Sequence, residues 1–204
     1  PYVEYGLIAI ILTLIIISGE IDLSIASMIA LTAVIFGTVY NAGFGMPASV
    51  LIAVLAGSLC GLFNGILVTK LKIPSIILTI GTLTLYRGIA QSLASDFSLG
   101  GYPSWFIGID YRYVGIIPIP VIIFTVFAIV VGFILSSTIY GKQLYLIGTN
   151  PVTAKYSGIK VDRIKLLLFT LSGLISGVAG VLTTSRLAVA RFNMATGAEL
   201  EIVL

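Results

Sequence analysis

The sequence predicts an all-α fold, a polytopic transmembrane helical bundle with about six spans in this fragment. Three observations carry that prediction. Hydrophobic residues make up 58% of the 204 residues and charged residues only 9%, against about 25% charged in ordinary soluble domains. The mean hydropathy is +1.16, and a soluble fold of this composition would leave too much apolar surface against water. The apolar runs are continuous rather than alternating, which points to helices and away from a β-barrel; lipid offers no partner for an unpaired backbone group.

Taken in order, the spans are read at residues 5–18, 23–40, 48–69, 74–95, 114–135 and 164–185. At ~1.5 Å per residue the longest reach ~33 Å, enough for a ~30 Å hydrocarbon core. Lys70 and Lys72 lie between the third and fourth spans. Lys142, Lys155, Lys160, Arg163 and Lys165 stand against Asp162 between the fifth and sixth. Two helices separate these basic segments, so both can face the cytoplasm, as positive-inside bias requires. That bias explains the net charge of +3 more simply than a nucleic-acid partner does. The loop 96–113 then lies outside, with Asp96, Asp110 and Arg112, and with Tyr102, Trp105 and Phe106 suited to the interface. The start of the chain and the segment after Ser185 are also outside, where Arg186 and Arg191 run mildly against the rule. Residues 136–165 are too long for a simple turn and predict a folded docking element for a cytoplasmic partner.

Several chemistries are excluded. Cys60 is alone in an apolar run, so it forms no intrachain disulfide and reads as a packing residue. There is no His, which removes zinc-protease motifs and His-assisted triads, and no P-loop sequence occurs. No catalytic residue and no metal site is expected. The chain begins at Pro1 with no basic region before its first apolar run, so no signal peptide is read and a fragment is expected.

Gly57, Gly61 and Gly65 fall four apart on one face of the third span. Gly173 and Gly177 repeat the pattern in the sixth, beside Ser172, Ser176 and Gly180. Small residues at that spacing let two backbones approach in lipid, and ordinary intrachain packing is favoured over dimer or gating contacts. Ser18-Gly19-Glu20-Ile21-Asp22-Leu23-Ser24 sets two acids between apolar runs. It is read first as a tight turn in which Asp22 or Ser24 caps the next helix. The alternative is a helix break inside the protein, with half-helix ends along a pathway. Arg87 is a charge inside a span, either a structural ion pair or snorkel or part of a solute path. Asn64, Thr79, Thr82 and Thr84 bring amide and hydroxyl groups to membrane depth, suited to a polyhydroxylated solute and equally to bonds between helices.

Together these residues resemble a known family: the membrane-spanning permease of bacterial ABC importers of the ribose, xylose, arabinose, rhamnose and autoinducer-2 type. Ser18 through Ile25 is similar to the family's S-G-G-I-D-L-S-V signature. Pro74 through Thr82, followed by Tyr86-Arg87-Gly88, is similar to its P-S-F-I-x-T-L-G-T…R-G segment. Gly141-Lys142 through Asn150, with Ala154 and Ser157-Gly158-Ile159, is similar to G-R-x-x-Y-A-I-G-x-N-x-x-A-A-x-x-S-G-I. Order and spacing agree across nearly the whole chain. Two departures stand out: Glu20 replaces the usual second Gly, and Lys142 stands for Arg.

The resemblance implies a single transmembrane permease domain over 1–204, truncated at both ends, with a cytoplasmic coupling loop at 136–165. It places ATPase coupling on Gly141, Lys142, Gly148, Asn150, Ala154, Ser157 and Gly158. Small residues there would permit close docking, and Asn150 before Pro151 can cap a short helix. A substrate path is expected along Asp22, Ser24, Asn64, Thr79, Thr82 and Arg87. The implied function is a permease subunit, not itself an enzyme, in an ATP-driven importer of a small sugar or sugar-like signal. Its partners would be P-loop ATPase subunits, which bind the ATP and Mg, a second permease copy, an external substrate-binding protein and membrane lipid. The bacterial inner membrane is the expected location. The alternatives are a branched-chain amino-acid ABC permease, which calls for paired charges along the path, and an ion-coupled secondary carrier using Glu20 and Asp22. An intramembrane enzyme lacks a reactive pair.

Overall fold

The computed structural model describes residues 3–95, 97–109 and 113–199. Asp96, Asp110 and Arg112, and residues 200–204, lie outside the described residues. The chain forms an all-α bundle of α1 (Val3–Ile17), α2 (Ile25–Asn41), α3 (Met46–Lys70), α4 (Ser75–Ala94), α5 (Ser104–Ile107), α6 (Ile119–Ser137), α7 (Ile139–Thr149), α8 (Pro151–Tyr156) and α9 (Val161–Leu187). A two-residue antiparallel hairpin, β1 (Tyr113–Val114) and β2 (Ile117–Pro118), precedes α6.

Four helices, α3, α4, α6 and α9, are long and apolar enough to cross a membrane. The apolar α1 and α2 are shorter, at 15 and 17 residues. The largest boundary difference from the sequence reading is at α6, which starts at Ile119 instead of residue 114. Gly115 at φ +65° turns the hairpin, and Pro118 and Pro120 set the helix start. Pro74 likewise separates α3 from α4.

α9 is the axis of the bundle, packing against α1, α2 and α3. Its closest partner is α3, where small residues replace side-chain bulk. A methyl group on Gly61 would fall on the Phe169 carbonyl oxygen, and one on Gly57 on that of Gly173. The glycine stripes of the two spans therefore meet within one chain, and close van der Waals contact between backbones holds them. α2 packs between α9, α3 and α4, and α1 between α9 and α6. α6 is the outlier: only Pro120 and Val131 of its residues are buried.

Ion pairs fix which ends lie together. Lys72 and Asp162, 2.7 Å apart, join the α3–α4 connection to the start of α9. Lys165 pairs with Glu20 at the same end. At the opposite end Arg186 pairs with the buried Glu4, so this cation is neutralised where the positive-inside rule leaves least room for it. The two basic segments thus share one end, the cytoplasmic one by that rule.

The outer end is closed by Phe36, Tyr102 and Phe106, with ring centroids 5.1–5.6 Å apart. The sequence reading set all three loop aromatics at the interface. Trp105 alone is exposed there, whereas Tyr102 and Phe106 are buried. Burial, with Tyr40 beside it, pushes the Tyr102 phenol above its ordinary pKa. The loop is tied down by paired backbone bonds between Leu99 and Ala190.

Candidate functional site

Two features bear the residues that the sequence singled out: a helical elbow at the cytoplasmic end, and a break between α1 and α2 inside the bundle.

The elbow is α7 and α8. One extended residue, Thr138, separates α6 from α7, and its hydroxyl donates to the Ile134 carbonyl at 2.6 Å. Gly141 is buried so tightly that an added methyl would strike the Leu135 carbonyl. Asn150 ends α7 and begins α8: its Oδ1 accepts the backbone N–H groups of Val152 and Thr153, each at 3.0 Å, with Pro151 in the first turn. The Ser157 hydroxyl returns a bond to the Thr153 carbonyl, and Gly158 at φ +84° stops the helix.

The small residues of this motif face their own chain. Ala154 is buried with Ile147 and Val161. Gly148 is solvent-exposed, yet a methyl group on it would land on the Ile17 carbonyl oxygen at the end of α1. Small size at Gly141 and Gly148 is thus used to seat the elbow on α6 and α1, and at Ala154 to pack α8 against α7 and the start of α9. What the elbow presents outward is different. Tyr156 is 90% exposed and Val152 61%, four residues apart on α8, with Lys142 and Lys155 exposed nearby in the chain. Tyr156 and Val152 were not singled out by sequence; the signal was present as apolar side chains in the most polar part of the chain. Behind α8 lies a cleft of about 630 Å³ lined by Glu20, Lys72, Lys155, Tyr156, Asp162 and Lys165.

The break spans Ser18 to Ser24. It begins near Lys165, through Glu20, and then climbs into the bundle. Asp22 meets Ser172, whose hydroxyl donates to Oδ2 at 3.0 Å. Ser172 is eleven residues into α9, roughly 16 Å from its start at ~1.5 Å per residue. The backbone of α2 therefore starts at membrane depth, and the second sequence reading, a break inside the protein, describes the position. Neither Asp22 nor Ser24 makes the expected side-chain cap within the first turn. Asp22 Oδ1 instead accepts from the Ser24 backbone N–H at 3.0 Å and the Ser24 hydroxyl at 2.6 Å.

Further donors line up behind these. Asn64 Nδ2 donates to Ser24 Oγ at 2.8 Å, and the Tyr86 hydroxyl lies 2.9 Å from both Asn64 Oδ1 and the Cys60 carbonyl. The irregular backbone is satisfied as lipid depth demands: Ile21 N–H donates to Ser75 Oγ at 3.1 Å, and Thr79 Oγ1 donates to the Ile21 carbonyl at 3.4 Å. The Thr82 hydroxyl lies 3.4 Å from the Thr79 carbonyl. Asp22, Ser24, Asn64 and Thr79 are thus one buried cluster, with Thr82 beside it. Arg87 stands apart. It does not join the cluster; its Nη1 donates to the carbonyls of Phe192 and Met194 in the segment after α9, at 2.9 and 2.8 Å, with the Glu199 carboxylate nearby. Thr84 is exposed on the far side of α4.

The family model of the permease component of branched-chain amino acid transport systems matches residues 3–204. The chain belongs to that permease family. The resemblance read from the three motifs holds among individual relatives. The autoinducer 2 import system permease protein LsrD of Escherichia coli O9:H4 (strain HS) is 36% identical over 199 residues, 95% of this chain and 60% of the relative. Proteins of the same name from Escherichia coli (strain K12) and Shigella flexneri match at the same identity and coverage. This permease chain spans 60% of the length of these curated relatives. No solved structure matches it. Membership, with four membrane-length helices, makes it a multi-pass inner-membrane protein.

Proposed function

We propose that this chain is the larger part of a permease subunit of an ATP-driven importer for a small sugar or sugar-like signal, and that α7 and α8 couple it to ATPase subunits. The observation that carries this reading is the exposed Val152–Tyr156 pair on the short helix α8, which packs on α9 and on α7, itself seated on α1 and α6. An apolar knob on the polar side of a membrane protein is suited to a partner's cleft. ATP and Mg belong to that partner, and this chain does no chemistry of its own. An external binding protein delivers the solute, and a second permease copy completes the path. The autoinducer 2 name of the relatives supports a sugar-like solute. The family description names branched-chain amino acids, but a zwitterion calls for a free pair of charges. Inside the bundle Asp22 is engaged by serine groups, and Arg87 by two backbone carbonyls with the Glu199 carboxylate nearby. An ion-coupled carrier is disfavoured on the same ground, since Glu20 is paired with Lys165.

Co-purification tests the reading. The full-length permease is drawn from membranes with and without Val152→Asp plus Tyr156→Asp. The expected result is an ATPase subunit with the wild type and its loss from the variant at an unchanged melting temperature. An ATPase that stays with the variant removes α8 as the coupling element; none with either form removes the importer reading. Gly148→Asp is unsuited to this test, because the added side chain collides with Ile17.

A further inference from the structure

A second cavity lies on the side of the bundle away from the break, between α1, α6, α7 and α9. It has a volume of about 330 Å³ and an apolar wall that includes Leu14, Val131, Ile134, Leu168 and Leu171. Along α9 its lining runs from Ile164 to Ile175. At ~1.5 Å per residue that is roughly 5 to 20 Å from the basic end of the helix, about one leaflet of a ~30 Å core. Its open side is formed by Val130, Ile134, Leu167 and Leu171, all exposed, on the flank of the least buried helix, α6.

The chemistry of the lining and of its surroundings decides what fits. Apart from Tyr140 and Gly141 the lining is made of aliphatic and phenylalanine side chains, a surface that suits a hydrocarbon chain. The mouth is basic. Arg163 lies one helical turn before Leu167 on the same exposed face of α9, and the exposed Lys142 follows Gly141 of the lining. Lys72 and Lys165 are neutralised by Asp162 and Glu20. Among the described residues, Arg163 and Lys142 have no carboxylate in an ion pair. Tyr140, 70% exposed, stands at the same rim, where an aromatic ring with a polar tip suits the headgroup level.

We propose that this groove is a binding site for an anionic phospholipid of the cytoplasmic leaflet, its acyl chain lying between α1, α6 and α9 and its phosphate held by Arg163 and Lys142. The site does not depend on the importer reading. The chain would fill a gap in the packing of the otherwise loosely held α6, and the phosphate would balance charge that the protein leaves uncompensated.

Tryptophan quenching by brominated lipid tests it. Full-length protein carrying Leu167→Trp, with its native tryptophans replaced by Phe, is reconstituted into phosphatidylcholine vesicles. These contain an equal minor fraction of either brominated phosphatidylglycerol or brominated phosphatidylcholine. The expected result is stronger apparent binding of the phosphatidylglycerol, reduced about fivefold for each of Arg163→Gln and Lys142→Gln, the effect of one basic side chain near an anionic headgroup. Val126→Trp, exposed on α6 outside the groove, should be quenched equally by both lipids. Equal quenching at Leu167→Trp overturns headgroup selection. Quenching there by neither lipid means that protein covers the groove and overturns the site.

Discussion

Asp22 brings a carboxylate into the bundle with no ion pair to a cation among the described residues. Three donors take its two oxygens: the Ser24 N–H, the Ser24 hydroxyl and the Ser172 hydroxyl. It also stands just ahead of the start of α2, where the unpaired N–H groups of a helix favour negative charge. Removing the acceptor leaves those donors buried and unmatched, at about 1–3 kcal/mol for such a group. Asp22→Ala in the full-length protein should therefore lower the detergent melting temperature by several degrees. Asp22→Asn should lower it less, because its amide oxygen still accepts from Ser24. Equal losses would mean that the charge, not the acceptor geometry, is what the site requires. The sequence showed that Asp22 sits at a break, but not what it touches: Ser172 is 150 residues away, and no spacing rule connects a loop acid to a serine on a distant helix. Glu20, a departure from the family pattern, is explained the same way by Lys165, 145 residues on.

The α3–α9 seam was the most legible element in the sequence. Glycines every four residues on two spans predict two backbones in contact, and the structure agrees with the favoured reading that they belong to one chain. Gly61→Leu should then disrupt the bundle, since even a methyl group meets the Phe169 carbonyl. The check is full-length protein recovered after detergent extraction, expected to fall severalfold. Gly81→Leu on the outer face of α4, where no atom lies within 4 Å of an added methyl group, should leave it unchanged. Element ends were less legible. At Pro74 the reading was within a residue. At α6 an apolar stretch ran through the hairpin, and Ile116 and Ile117 looked like the interior of a span. Hydropathy does not register a turn at Gly115. The small residues of the elbow were legible as a motif, but not the direction they face.

For the bundle as a whole, composition and the placement of lysines were sufficient to give the class and the end that the basic segments share, because lipid restricts the choice of structure and charge restricts which ends lie together. The pairing of Lys72 with Asp162 agrees with the end-sharing inferred from those lysines. Partnerships were not legible, since an exposed apolar face reads alike whether lipid or protein covers it. The face of α4 around Gly81, Thr84, Gly88 and Ser92 is uncovered and bears hydroxyls, with a shallow groove of about 500 Å³ along it. We assign the second permease copy to this face. Gly88→Cys in the full-length protein should form a crosslinked dimer in membranes with a short bifunctional thiol reagent, while Val126→Cys on α6 should not. Dimers from α6 alone would move the interface there.

The contact of Gly148 with Ile17 has a mechanical consequence. The elbow touches the last residue of α1, one residue before the broken segment whose Glu20 is pinned to α9. In the proposed coupling role, a load on Tyr156 would reach the start of α2 through these two short links, bypassing the length of α6. The glycine acts as a bearing surface, where any larger side chain would shim the lever out of line.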